Sequence, residues 1–559
     1  MKKFFALNFP LAVALTLSLP LVRVHSQTGT AIAPTTTKYS LPGGARAAAE
    51  RIAAAQMKKD LYYVSSDEMA GRDTPSPGLD ATAKFLAGRL KAAKLKPAGD
   101  NNTYFQNIEM RRTKVDAAQT RAEMGGKTFR YSEDFLIATT AGIASGSLVY
   151  AGHGWVIGSK NIDAYKGVDV RDKIVIVSAG LPQGIERSAL GTTITDAENP
   201  ASAAQKRGAR GVIMITNYPD FDRWWSVRRR ALERSRPEIV RFQERDGVES
   251  KTQLPTIMPS VAMLNMLFDG ERQSAAEIMR NTVAGTAPEA FELAPQKRIS
   301  FTVHVANVST KTQNVVAVLE GKDPVLKNEY VAVGAHYDHV GVQQPVNGDS
   351  IYNGADDDGS GTVAVLALAE ALARAPRSRR SILFVWHAAE EKGLKGSEYF
   401  VEYPTVPLDK IVAQFNIDMI GRSKKPGDQN PRNSGLTGPH EIYVIGSKMM
   451  STELGELSER VNKSYLNLSL NYLYDRPNDP QRLFYRSDHY NYAKKGIPII
   501  FYFDGIHEDY HRPSDTADKI DYAKMEKVTR TIFLTLSEVA NSDARPVVDK
   551  PLHVENTER

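Results

Sequence analysis

The chain has 559 residues, 42% hydrophobic, 24% charged and 8% aromatic, with a formal charge of +6 and no cysteine. That length exceeds one ordinary core and predicts two or three domains. The composition excludes fibrous, collagen-like and mainly disordered chains, and so small a net charge gives no whole-chain sign of the concentrated basic face of a nucleic-acid binder. Without cysteine there is no disulfide, thiol nucleophile, thiolate ligand or lipid-attachment cysteine, so any metal must be held by His, Asp and Glu, donors suited to hard or borderline cations.

Lys2 and Lys3 precede an apolar run from Phe4 to Val22, followed by Ser26 and Gln27. Residues 1–26 read as a secretory signal peptide, with an N-terminal membrane anchor as the alternative. Cleavage removes Lys2, Lys3 and Arg23 and no acid, lowering the formal charge to +3. No later apolar stretch is long enough to span a bilayer. The chain is therefore expected to be exported, to the periplasm or the external medium, with no integral membrane segment after cleavage.

Residues 27–44, rich in Thr, Ala, Gly and Pro, predict a flexible leader. Helical composition follows over Ala47–Tyr63 and helical spacing over Leu79–Leu95. From about Gly146 the texture turns β-rich: Ser147–Tyr150, Lys173–Val177 and Gly211–Ile215 read as strands. Residues 146–295 hold no clustered ligand-type residues and read as an inserted, non-catalytic domain between 45–145 and 296–545. Within it, Asp222–Arg245 places many arginines beside Trp224 and Trp225, which reads as a solvated amphipathic helix in preference to an anion-binding arm.

After Asn314, short apolar runs alternate with helical segments. Val315–Leu319, Tyr330–Ala335, Ile382–Trp386, Val412–Ile417, Ile442–Ile445 and Ile499–Phe503 read as strands; Gly361–Ala375, Ser451–Asn462 and Tyr522–Val539 read as helices. The alternation predicts an α/β fold with a mixed, mostly parallel sheet covered by helices on both faces. Residues 546–559 read as a polar tail.

In open α/β sheets ligands gather beyond the carboxyl ends of strands, and the unusual residues lie there. One strand runs into His336-Tyr337-Asp338-His339. A loop then leads to Gly354-Ala355-Asp356-Asp357-Asp358-Gly359-Ser360-Gly361. Later strands run into His387-Ala388-Ala389-Glu390-Glu391, into Asp418, and towards Asp509-Tyr510-His511. Singly these have bland explanations: structural histidines, an Asp-rich helix cap, a solvated Glu pair. Together they would converge on one rim, where the carboxylates would repel one another unless divalent ions neutralised them.

These segments, with Ala389-Glu390-Glu391-Lys392-Gly393-Leu394-Lys395-Gly396-Ser397 and Asn416-Ile417-Asp418, resemble the dizinc exopeptidase family of aminopeptidase Y, bacterial secreted leucine aminopeptidases and glutamate carboxypeptidase II. The resemblance covers roughly residues 45–140 and 300–540, and the insertion resembles a protease-associated domain. It implies two zinc ions per chain, one bound by His336 and Asp418, the other by Glu391 and His511, with Asp356 bridging them. It makes Glu390 the general base acting on a water between the ions, and Tyr510 a hydrogen-bond donor to the developing oxyanion. It also implies a cis Asp356–Asp357 peptide. Asp338, two residues beyond His336 along extended chain, would accept the His336 ring N–H.

Ser487-Asp488-His489 matches a further family motif, with a helix cap as an equal alternative. His339 and His387 match no ligand position, and Arg72 reads as structural. The resemblance implies an aminopeptidase acting on peptide or protein N-termini. The rivals are a carboxypeptidase or glutaminyl cyclase on the same scaffold, or a receptor-like protein without catalysis. Gly496–Tyr510 carries no arginine to form a cationic carboxylate pocket, which weakens the carboxypeptidase reading.

Overall fold

The structure is a computed structural model. It describes residues 43–137, 141–233, 237–245, 254–550 and 552. The expected signal peptide and most of the leader lie outside these residues. Among the described residues no helix is long and apolar enough to cross a membrane.

Four parallel strands form the centre of the main sheet. Tyr330–His336 lies between Ser381–His387 and Ile411–Ile417, and Ile499–Phe503 follows beyond Ile411–Ile417. These strands are buried along their length except at Tyr330, as strands covered on both faces must be. Antiparallel strands flank them: Val305–Leu319 and Phe105–Val115 on one side, Glu441–Ile445 on the other. The sheet is thus mixed, with a parallel centre. The helices Gly361–Ala373 and Tyr522–Asn541 bury apolar residues around most of their surface.

Register aligns the strand ends. His336 pairs with His387, and Gly334 with Asn416, so His336, His387 and Asp418 leave the sheet on one rim.

A second sheet, with its own apolar core, is built from strands between Arg121 and Val303. It reaches beyond the expected 146–295 span. The expected boundary at 145 falls inside the strand Gly142–Tyr150, and Arg298–Val303 belongs to the same sheet. Alternating apolar residues read alike on either side of that boundary, so no break in the pattern marks it. The arginine-rich stretch divides into the helices Phe221–Glu233 and Val240–Arg245. The second is amphipathic: Arg241, Glu244 and Arg245 are exposed, while Phe242 is buried against Tyr399 and the Arg241 guanidinium stacks 3.7 Å above the Tyr403 ring. The expected polar tail also begins as packed chain, for Val548 and Leu552 lie against the main core and Asp549 accepts the Thr452 amide.

Candidate metal centre

The strand rim delivers the groups in two clusters that share one residue. His336 ends its strand, and Thr362 Oγ1 donates to its carbonyl at 2.7 Å. Its Nε2 lies 3.3 Å from Asp357, 3.6 Å from Asp418 and 3.9 Å from Glu390. On the other side of Asp357, His511 Nε2 lies 3.0 Å from both Asp357 and Glu391. One donor atom each from His336, Asp357 and Asp418 falls within mutual reach, as does one each from Asp357, Glu391, His511 and His339.

Asp357 is the residue common to both clusters, and the expectation that Asp356 stands between them is corrected. Asp356 is fully buried on the far side of the turn. Its Oδ1 accepts the Gly421 amide at 2.7 Å, and its Oδ2 faces His507 Nε2 at 3.2 Å. The turn is held from a distance: the Asp515 carboxylate accepts the amides of both Asp356 and Asp357 at 3.0–3.1 Å. The cis peptide joins Asp357 to Asp358, one residue beyond the position expected. Gly361 is required beyond the turn, because a Cβ there would stand 2.3 Å from the Ile417 carbonyl oxygen.

Neighbouring groups fix the donors. His336 Nδ1 lies 3.1 Å from the Asp338 carbonyl oxygen, and the Asp338 carboxylate stands farther off at 3.7 Å. That carboxylate instead accepts the Glu390 amide at 3.1 Å. The ring of His336 is thus set chiefly by the main chain of Asp338, contrary to the side-chain contact expected. Ser487 Oγ donates to Asp418 at 2.7 Å and accepts from Asn416 at 2.8 Å, which gives the Ser487 motif a direct link to the site. Asp488 faces His387 at 3.4 Å, behind the rim. Tyr510 stacks on the His511 ring at 4.0 Å. Arg72, with no exposed surface, donates to the carbonyls of Val64, Tyr337, Asn353 and Gly354, tying together the segments that carry His336 and Asp357. Ala389, Met419 and His511 adopt left-handed φ between +53° and +57°, a conformation costly outside glycine and found where a site dictates the backbone.

The electrostatics demand a counter-charge. Asp338, Asp357, Asp358, Glu390, Glu391 and Asp418 crowd together out of solvent. Burial raises the Glu390 carboxyl well above its usual range; Glu391 and Asp418 add to the rise, and His336 opposes it. Burial likewise raises Asp418. Asp357 is held well below the usual range: burial opposes this, but His336 and His511 stabilise the anion. Burial also opposes the protonated form of His511, yet Asp357 and Glu391 hold its imidazole up to about 10. Several of these atoms are buried without a hydrogen-bond partner among the described residues, including Asp357 Oδ2, Glu391 Oε1 and His511 Nε2. Buried polar atoms rarely stay unpaired, and oxygen and imidazole donors converging without hydrogen-bond geometry fit divalent metal ions.

The arrangement is that of an α/β protein with a carboxylate–imidazole metal centre at the rim of its parallel strands. Residues 314–536 match the family model described as Peptidase family M28. The chain is 29% identical over 225 residues to a probable leucine aminopeptidase of Arthroderma otae, covering 38% of this chain and 54% of that protein. It is 26% identical over 268 residues to leucine aminopeptidase 2 of Trichophyton rubrum, covering 44% and 48%. The chain thus spans about half the length of the curated relatives it matches. A solved aminopeptidase from Aneurinibacillus sp. strain AM-1 aligns over 90% of this chain and 98% of its own at 17% identity, with a TM-score of 0.49.

Proposed function

We propose that the protein is an exported zinc aminopeptidase that removes the N-terminal residue of peptides. The observation that carries this is the convergence of His336, Asp418, Glu391 and His511 on the two sides of Asp357. His336 and Asp418 would hold one zinc ion, Glu391 and His511 the other, and Asp357 both. Two such ions, when bound, polarise the scissile carbonyl and acidify a water between them.

The chain's own residues do the rest. Glu390 is within reach of the cluster yet belongs to neither ligand group, so its carboxylate accepts the proton from the attacking water and returns it to the leaving amine. Tyr510 presents a hydroxyl beside the Asp357–Glu391–Glu390 group, where it can donate to the oxygen that gains charge. The acidic rim suits a free N-terminal ammonium, and Met419, Leu483, Phe501, Phe503 and Ile506 give the adjoining pocket an apolar wall for the first side chain. We read residues 146–295, extended to the ends of the second sheet, as a protease-associated domain inserted in the catalytic one.

Metal analysis combined with a panel of peptides tests the reading. Free N-terminal peptides should be hydrolysed by the zinc-loaded chain and spared after chelation, and N-blocked peptides should resist. Arg486 lines the same pocket, so the panel includes N-blocked peptides with acidic C-termini. Cleavage confined to those would replace the aminopeptidase reading with a carboxypeptidase.

A further inference from the structure

The sequence offers His339 no ligand role, yet its imidazole is poised as a ligand would be. The ring is fully buried, and neither of its nitrogens has a hydrogen-bond partner among the described residues. An imidazole in that state is disfavoured unless something else meets it. Its Nδ1 lies 3.0 Å from Glu391 Oε1 and 3.7 Å from Asp357 Oδ2. The 3.0 Å approach lacks hydrogen-bond geometry, for both Nδ1 and Oε1 remain unpaired. Donor atoms of His339, Asp357, Glu391 and His511 all lie within 4.8 Å of one another. The backbone is shaped to bring the ring there. The His339 amide donates to the Arg72 carbonyl at 3.1 Å, and Gly354, at φ +59°, leaves room for the ring where a Cβ would stand 2.4 Å from its Cγ.

Resting on the two-ion reading above, we infer that His339 is a further protein ligand of the ion held by Glu391 and His511. That ion then has four protein donors: two imidazoles, Glu391 and the shared Asp357. The other has three, from His336, Asp418 and Asp357. Three protein ligands leave a tetrahedral position open, whereas a fourth leaves room for the shared water only by expansion to five-coordination. The two sites are therefore inequivalent. The His339 site is the tighter, and the open position falls on the His336 side, which Glu390 faces.

A crystal structure of the zinc-loaded wild-type chain and zinc titrations of His339→Gln test this together. The expected structure has a His339 ring nitrogen at about 2.0–2.1 Å from one ion. The variant should keep one ion at wild-type affinity and hold the other at least roughly 100-fold more weakly. Comparison of metal-free unfolding midpoints separates lost ligation from lost folding, and the wild-type structure decides even if the variant does not fold. Two bound ions with His339 beyond coordination distance would overturn this inference and leave the two-ion reading intact. A wild-type chain that binds no zinc would overturn both.

Discussion

Replacing Asp357 by Asn should abolish tight metal binding, whereas the same change at Asp356 should leave it nearly intact. Among the described residues Asp357 is the one acid with donor atoms in both clusters, so its loss removes a ligand from each ion. Structural zinc sites contribute about 10–16 kcal/mol over four ligands, or about 2.5–4 kcal/mol per ligand. At 1.4 kcal/mol per tenfold, each ion should bind roughly 10²–10³-fold more weakly. Asp356 faces Gly421 and His507 and touches neither cluster. Its carboxamide replacement keeps an acceptor for the Gly421 amide but alters the contact with His507 and removes a negative charge that favours Arg422 and Lys524, costing about 1–3 kcal/mol of folding stability. Zinc affinity should stay within about tenfold. Competition titration against a chromophoric chelator reads both affinities, and urea unfolding of the metal-free variants reads stability. If Asp356→Asn lost the metals and Asp357→Asn kept them, the placement of the turn would be wrong.

Glu390→Gln should retain both metals and lose about 10²–10⁴-fold in kcat, while Glu391→Ala should lose metal first; steady-state kinetics beside metal analysis checks the pair, and undiminished turnover by Glu390→Gln would remove it as the base. Zinc affinity should rise with pH. The metal-free His511 imidazole is held up to about 10 by Asp357 and Glu391 and must lose its proton to bind, so between pH 6 and 8 affinity should climb at least tenfold per pH unit. A flat profile from titrations at several pH values would contradict this. Arg72→Met removes the guanidinium donor from four buried carbonyls, of which Gly354 keeps the Gly359 amide, and should cost about 3–5 kcal/mol of stability, read from the shift of the urea midpoint; a loss under about 1 kcal/mol would refute the tethering role.

The strands and helices of the second half were legible because buried parallel strands must be continuous apolar runs, and the ligand-type residues ended those runs. Which of three consecutive aspartates faces the metals was not legible. Neighbours in an irregular turn point in different directions, and the choice is imposed by Asp515, 159 positions downstream of Asp356. His339 was visible as a histidine beside a motif. Its approach to the cluster depends on Glu391 and His511 arriving from later strands, which no local pattern reports. Ser487 could be read from its motif, but its contact with Asp418 is a product of the fold. The start of the second sheet was not legible because Arg121–Met124 and Gly142–Tyr150 alternate like any half-buried strand and pair through Arg298–Val303, more than 140 residues away in sequence.

Zinc content per chain after equilibrium dialysis of the purified protein tests the central claim most directly. Convergence of His336, Asp418, Glu391 and His511 about Asp357 predicts two tightly held ions per chain, both weakened by Asp357→Asn. A folded wild-type chain that retains one ion or none, or an Asp357→Asn variant that retains two, would contradict it.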